Sequence, residues 1–163
     1  MHCTRLLCAL GVSIWSVVVA GSQATRPTVL SEELRTHLQN ERFQIVSSIR
    51  GLPLGVRTEL QAMFGSLTLD IAEPGAAFQS TSVVPDANPP SRRMVTAGCS
   101  YEHCLVYYER GGNPRTWRVA WFHWRPEATR LDWGGTAPGG LATIEDLRRV
   151  ILSGAIKSSG GPW

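Results

Sequence analysis

The densest chemistry in this sequence lies in six residues, CSYEHC, where Cys99, Glu102, His103 and Cys104 bring together two thiols, a carboxylate and an imidazole. These residue types could form a metal site, a redox-active cysteine pair or a structural disulfide. For a metal, the two thiols and His103 supply three ligands without an obvious fourth, and adjacent residues of a strand point to opposite faces. For redox chemistry the spacing is CxxxxC instead of CxxC, and no thioredoxin-like βαβ pattern surrounds it.

The disulfide is favoured by the sequence on either side of the two cysteines. Strand-like residues flank SYEH, so Cys99 and Cys104 would face each other at the neck of a hairpin with a four-residue turn. Cross-strand Cα atoms lie about 4.5 to 5.5 Å apart, which the geometry of a disulfide accepts. We therefore predict a structural Cys99–Cys104 disulfide, with no metal site and no cofactor.

The N-terminus resembles a secretory signal. An apolar run over residues 6–20 follows Arg5 and precedes small and polar residues, and it is shorter than the roughly 20 residues of a membrane-spanning helix. We predict a signal peptide over residues 1–24, cleaved after Ala24, with Val18-Val19-Ala20 as the other candidate cleavage site; the alternative is an uncleaved apolar helix. Cleavage would remove Cys3 and Cys8 and would leave a secreted or periplasmic protein without a stable membrane anchor.

A second unusual stretch, Thr116 to Trp124, has the sequence TWRVAWFHW. In a strand, one face would carry Trp117, Trp121 and His123, and the reverse face would carry Trp124. If one face is open, its rings form a candidate binding face for a protein segment or a cell-wall glycan. The alternative is that other elements cover both faces, since large aromatic side chains are mostly buried.

A catalytic interpretation is the alternative to binding. It takes His103 or His123 as base in a small exported hydrolase and a serine as nucleophile. Motifs such as GxSxG, HExxH and the P-loop do not occur, so binding without catalysis is the first hypothesis. The other residues of the catalytic hypothesis are Glu102, Glu109 or Asp132 as partners of the histidine and Ser100 as nucleophile.

The net charge of the chain does not indicate a nucleic-acid partner. The chain carries 16 basic and 13 acidic residues, a formal net charge of +3, and its arginines are scattered along the sequence. The pair Arg92-Arg93 is a candidate anion contact, the alternative being the solvated start of a strand.

The order of the expected helices and strands predicts a single α+β domain over residues 25–163. Helices are expected near residues 32–41, 53–64 and 143–153, and strands at 42–49 and 66–71. A C-terminal meander of four strands brings the predicted antiparallel sheet to about five or six strands, with two to three helices packed on one face. The predicted irregular segments are a long proline-rich loop at 72–91, a flexible connection at 134–140 and a loose tail at 155–163.

Several short motifs resemble a group of small exported bacterial proteins of uncharacterised function. They are Leu52-Pro53, Glu73-Pro74-Gly75 with Phe78, Arg92-Arg93, Ala97-Gly98 and Tyr108 to Gly112, and the resemblance covers roughly residues 43–153. It implies export and an α+β fold, and it transfers no site. The sequence as a whole therefore predicts an exported, non-enzymatic binding or accessory module whose partner is a protein or a glycan.

Overall fold

The computed structural model describes residues 29–81, 89–158 and 163. The predicted signal peptide and its cleavage site after Ala24 lie outside these residues. The chain forms an antiparallel sheet of six strands in sequential order, with three α-helices. This confirms the α+β class and the four-stranded meander. The strands are β1 Gln44–Ile45, β2 Arg92–Cys99, β3 His103–Arg110, β4 Thr116–Arg125, β5 Ala128–Ala137 and β6 Lys157–Ser158; the helices are α1 Glu32–Asn40, α2 Leu54–Phe64 and α3 Ile144–Leu152.

The helices begin and end where their capping residues predict. The Ser31 hydroxyl accepts a hydrogen bond from the Leu34 N–H at 3.2 Å, and the Thr143 hydroxyl accepts one from the Asp146 N–H at 3.0 Å. Gly65 follows α2 with φ of 63°, a left-handed conformation that glycine adopts without strain. Local capping therefore marks the starts of α1 and α3 and the end of α2.

Two of the three helices, α1 and α3, share one face of the sheet, within the predicted two to three, and α2 packs on the reverse face. Leu34 and Leu38 of α1 and three residues of α3 pack on the face that carries Trp121. Val56 and Leu60 of α2 pack on the reverse face. The physical reason lies in β3 and β4, whose runs LVYY and VAWF place apolar side chains at consecutive positions, so that both faces must be covered.

The segment 66–71 was predicted as a strand, and it is irregular in the structure. Its backbone carbonyl groups bond locally: Leu67 accepts from the Gln61 amide at 2.8 Å, and Thr68 accepts from the Ser66 hydroxyl at 2.7 Å. The Leu67 side chain is 99% exposed, whereas Ile71 is buried. Alternating hydrophobicity therefore does not make a strand here, because side-chain hydrogen bonds compete for the backbone.

The predicted flexible connection at 134–140 is also corrected, because β5 continues to Ala137. A Cβ atom at Gly134 would lie 2.6 Å from the ring of Trp163, and one at Gly135 would lie 2.5 Å from the Lys157 carbonyl oxygen. These glycines allow the C-terminal segment to approach the sheet. The tail is accordingly held at two points, by β6 beside β5 and by the buried Trp163.

The predicted disulfide is confirmed. Cys99 and Cys104 are paired across β2 and β3 with Cα atoms 4.1 Å apart, and they form a disulfide bond. Cys104 packs on the face covered by α2, whereas Leu105 and the neighbouring odd positions pack on the other face. Among the described residues, no helix has the length and apolar character needed to cross a membrane.

Candidate functional site

Three histidines from three different elements meet on the α1 side of the sheet. His103 and His123 are cross-strand partners on β3 and β4, with ring centroids 5.3 Å apart. His37 comes from α1, and its ring centroid lies 4.5 Å from that of His103. Together with Glu41 and Asp132 they form what we call the histidine cluster.

Glu41, directly after α1, is the hub of the cluster. Its Oε1 accepts hydrogen bonds from His37 Nδ1 at 2.6 Å and from His103 Nδ1 at 2.7 Å, and its Oε2 accepts one from the Ser100 hydroxyl. Because an ionised carboxylate only accepts, each Nδ1 carries a proton, and in the neutral form of each imidazole Nε2 keeps its lone pair. The carboxylate therefore sets the tautomer of both rings.

These hydrogen bonds also set the charge of Glu41. Burial by itself would raise the pKa of the carboxyl group, but the hydrogen bonds from Ser100, His103 and His37 and the positive charge of a protonated His103 outweigh that effect. The pKa of Glu41 is consequently lowered from its usual value of 4.5.

A β-bulge places Asp132 in the cluster. Trp121 pairs with Trp133 and Phe122 pairs with Leu131, so Asp132 is an extra residue on β5 between two paired positions. A bulge of this kind redirects the side chain that it inserts. Asp132 therefore lies beside His123, and its Oδ1 is 2.7 Å from Nε of Arg130.

The cluster opens into a cavity of about 330 Å³. His103 is almost completely buried at 3% exposure, while His123 is half-buried. Burial, followed by the positive charges of Arg130 and a protonated His103, lowers the pKa of His123. Neutral imidazoles in such a cavity can accept a proton or bind a metal ion. The other residues that line it are Val29, Ser31, Glu33, Leu34, His37, Glu102, Arg130 and Asp132.

Sequence analysis identified three of the five residues of this cluster. It singled out His103, His123 and Asp132, but it missed His37 and Glu41, whose i,i+4 spacing on one helix face was the available signal. Glu109 was named as a partner of the histidines, yet it pairs with Arg93 and Arg115 six residues further along β3, about 20 Å from His103.

Ser100 is not placed as the nucleophile of a catalytic triad. Its hydroxyl donates to Glu41, and its oxygen accepts from the backbone N–H of His103 at 2.9 Å. A serine nucleophile instead donates to an imidazole nitrogen, which then takes its proton. Glu102, the other proposed partner, lines the cavity and forms an ion pair with Arg125.

The aromatic strand is covered on both faces, as the alternative interpretation held. Trp121 is fully buried under α1 and α3, so it is not part of an open binding face. Trp117 and Trp124 are half-buried. Of the predicted binding face, Trp124 borders a groove of about 620 Å³, and His123 lines the cavity of the histidine cluster.

The predicted anion contact at Arg92-Arg93 has internal partners instead. Arg92 is 6% exposed and donates to Asp70 at 2.6 Å, to Ser91 and to the Trp163 carbonyl oxygen. Arg93 donates to Glu109 and to the Ala76 carbonyl oxygen. Both guanidinium groups therefore hold the fold together.

A groove of about 620 Å³ runs along β1 and the stapled hairpin, and we call it the edge groove. Two of its side chains are unusually exposed for their apolar character, Ile45 at 70% and Tyr101 at 87%. The Trp124 indole forms part of its wall and donates to the Ser100 carbonyl oxygen at 3.3 Å. The full lining is Arg42, Gln44, Ile45, Val46, Ser47, Ser48, Gly51, Pro53, Cys99, Ser100, Tyr101 and Trp124.

In comparisons with known proteins, no family model, no curated protein and no solved structure matches the chain. The resemblance to small exported bacterial proteins stays a prediction. Functional inference therefore rests on the histidine cluster and the edge groove.

Proposed function

We propose that the chain is an exported binding module that takes an extended segment of a partner protein along the edge groove. One observation carries the proposal: β1 is an edge strand of the sheet, and the exposed side chains of Ile45 and Tyr101 lie beside it. An edge strand offers backbone hydrogen bonds to an incoming strand, and neighbouring pockets select its side chains.

The register of β1 determines which backbone groups face outward. The Val46 N–H donates to the Ala97 carbonyl oxygen at 2.9 Å, so residue 46 is a hydrogen-bonded position opposite β2. Ile45, paired with Gly98, is the adjacent non-hydrogen-bonded position. Its N–H and C=O therefore point away from β2, toward an added strand.

The groove walls suit a peptide with apolar and polar side chains in alternation. Ile45, Tyr101 and Trp124 provide apolar surface. Around them, the exposed Arg42, Gln44 and Ser47 provide polar groups at the rim. Large apolar side chains at the centre of such a site supply most of the binding energy, and the polar rim excludes water.

Export is part of the proposal. It is supported by the signal-like N-terminus and by the Cys99–Cys104 disulfide, because such bonds persist in oxidising compartments. The disulfide closes the hairpin that carries Tyr101, and so fixes one wall of the groove.

The test is selection of peptides from a displayed library of random extended sequences, followed by affinity measurement with the Ile45→Pro variant. Proline removes the outward N–H of Ile45 without removing a bond to β2, and edge strands tolerate proline. We expect the variant to fold and to bind selected peptides at least tenfold more weakly. The control is Leu67→Asp, which alters an even more exposed apolar residue outside the groove.

Soluble cell-wall glycans form the second arm of the same experiment. Glycans stack on rings and do not need the N–H of Ile45, so their binding would depend on Tyr101→Ala and not on Ile45→Pro. Peptides that bind Ile45→Pro as well as wild type, or glycans that bind where no peptide does, would overturn strand addition.

A second candidate function, a small exported hydrolase, is favoured by the fixed tautomer of His103. Because Glu41 holds the proton on Nδ1, Nε2 can act as a general base toward water in the cavity. A panel of ester and amide substrates would test it with His103→Ala, which removes the proposed base. Turnover that the variant loses while its circular dichroism is unchanged would support hydrolysis; absence of turnover in wild type would reject it.

A further inference from the structure

The histidine cluster contains two groups of side chains with the composition of a metal site. One is His37, Glu41 and His103, and the other is His103, His123 and Asp132. In each group the potential ligand atoms lie within 4.8 Å of one another. Imidazole and carboxylate donors together suit divalent transition metals such as Zn²⁺ and Co²⁺.

The first group is occupied by its own hydrogen bonds. His37 Nδ1 and His103 Nδ1 lie 2.6 and 2.7 Å from Glu41 Oε1. Around a tetrahedral Zn²⁺ with bonds of about 2.0 to 2.1 Å, ligand atoms are instead about 3.3 Å apart. These contacts are therefore hydrogen bonds that hold protons, with no space for an ion between the atoms.

We propose that the second group, His103, His123 and Asp132, binds one divalent transition-metal ion, with Glu41 acting behind it to orient His103. The Nδ1 of His103 is committed to Glu41, so its Nε2 is the nitrogen that remains for the ion. A carboxylate bonded to the far nitrogen of a ligating histidine is a regular feature of metal sites, because it fixes the tautomer and strengthens the ligand.

The protein backbone brings these three ligands together. His103 and His123 are direct cross-strand partners, and the bulge in β5 inserts Asp132 next to them. Asp132 Oδ1 is held by Arg130 at 2.7 Å, whereas Oδ2 is 3.5 Å from Nη2 of the same residue. Oδ2 is thus the oxygen that remains to bind the ion. Arg130 orients the Asp132 carboxylate, just as Glu41 orients His103.

Three protein ligands leave at least one coordination position for water or a further ligand. The cavity lies at these residues, and Glu102 and Arg130 are also among its lining. A site with an open position and an adjoining cavity has the form of a catalytic metal site more than of a closed structural one. This inference does not depend on the edge groove, because β1 and Tyr101 belong to a different cavity.

The experiment is a titration of chelator-treated protein, without a histidine tag, with Zn²⁺ by calorimetry and with Co²⁺ by visible absorption. We expect one equivalent to bind, with a Co²⁺ spectrum that lacks the charge-transfer band of thiolate ligands, since Cys99 and Cys104, the cysteines of the described residues, are in the disulfide. His123→Ala and Asp132→Asn change partly exposed positions and are expected to weaken binding at least 100-fold. Glu41→Gln is expected to weaken it 10- to 100-fold.

His37→Ala is the matched control, because it removes a histidine of the same cluster that is outside the proposed ligand set. We expect it to keep its Zn²⁺ affinity within a factor of about 10 of wild type, since the hydrogen bond from His103 to Glu41 remains. The proposal is overturned if wild type binds no ion, if His123→Ala binds as tightly as wild type, or if His37→Ala abolishes binding while Asp132→Asn does not.

Discussion

At the scale of single residues, Glu41 connects elements that are distant in sequence. It follows α1, yet it accepts hydrogen bonds from Ser100 in the hairpin and from His103 on β3. It is only partly exposed, and of its three donors His103 is almost completely buried while His37 and Ser100 are half-buried. The loss of this carboxylate therefore leaves the buried His103 and two half-buried donors without their acceptor.

We expect Glu41→Gln to lower the free energy of unfolding by about 2 kcal/mol, because the amide presents donors to groups that are themselves donors. Glu33→Gln, at an exposed position of the same helix, is the control and is expected to change stability by less than about 0.5 kcal/mol. Urea unfolding at neutral pH measures both. Equal stability of the two variants would contradict the role of Glu41 as a hub.

The pH dependence of stability follows from the same residue. Because the pKa of Glu41 is lowered in the folded protein, its contribution is complete above the unfolded value near 4.5 and is lost as the pH falls through the folded pKa. Wild type should therefore lose its advantage over Glu41→Gln below about pH 4.5. A constant difference between wild type and variant from pH 7 to pH 3 would contradict this assignment.

Three of the five residues of the cluster were predictable residue by residue, and the other two depend on tertiary placement. His103 stood out because it lies in CSYEHC, and His123 because it lies in the aromatic stretch TWRVAWFHW. His37 lies in a helix without a neighbouring motif of this kind. That it meets His103 depends on which face of the sheet α1 covers, and hydrophobic periodicity does not determine that.

At the scale of elements, the stapled hairpin separates the two candidate sites. Ser100 and Tyr101 line the edge groove, whereas Glu102 and His103 line the cavity of the histidine cluster. The disulfide closes this turn at its neck. The geometry of this hairpin turn therefore affects both the edge groove and the cavity of the histidine cluster.

Cys99→Ala is expected to lower the free energy of unfolding by about 2 kcal/mol without unfolding the protein, the amount that loop closure over six residues predicts. Thermal or urea denaturation without reductant checks it. Intact mass of the wild-type protein should show two hydrogens fewer than the reduced form. A pair of cysteines that alkylates fully in folded, unreduced protein would contradict the prediction.

Elements with local signals were predictable, and elements defined by their partners were not. Capping residues marked the helices, and runs of β-branched and aromatic residues bounded by turn residues located β2 to β5. Alternating hydrophobicity failed at residues 66–71, where the backbone forms local hydrogen bonds with side chains instead. The bulge at Asp132 has no sequence signal, because it appears only when β4 and β5 are aligned.

At the scale of the whole molecule, both faces of the sheet are covered, so a partner can reach the backbone of the sheet at its edges. Both faces lie under helices, and the edge at β6 is formed with the C-terminal segment. Trp163 is buried against Gly134, which has no side chain to obstruct it. The C-terminal residue is therefore part of the core.

We expect Trp163→Ala to cost about 3 kcal/mol of stability, within the range for removal of a large buried aromatic side chain. Leu67→Ala, at a residue that is almost completely exposed, is the control and should be near neutral. Equilibrium denaturation followed by circular dichroism compares them. If both variants are as stable as wild type, the tail is loose, as the sequence had suggested.

The central claim is that the outward backbone of β1 receives a partner strand. Hydrogen exchange measured by NMR at the Ile45 amide, with and without a selected peptide, tests it most directly. Strand addition predicts that this amide exchanges quickly in the free protein and at least tenfold more slowly in the complex, while exposed amides near Leu67 keep their rates. Binding that leaves the Ile45 amide unprotected and slows exchange only around His103 and His123 would contradict it.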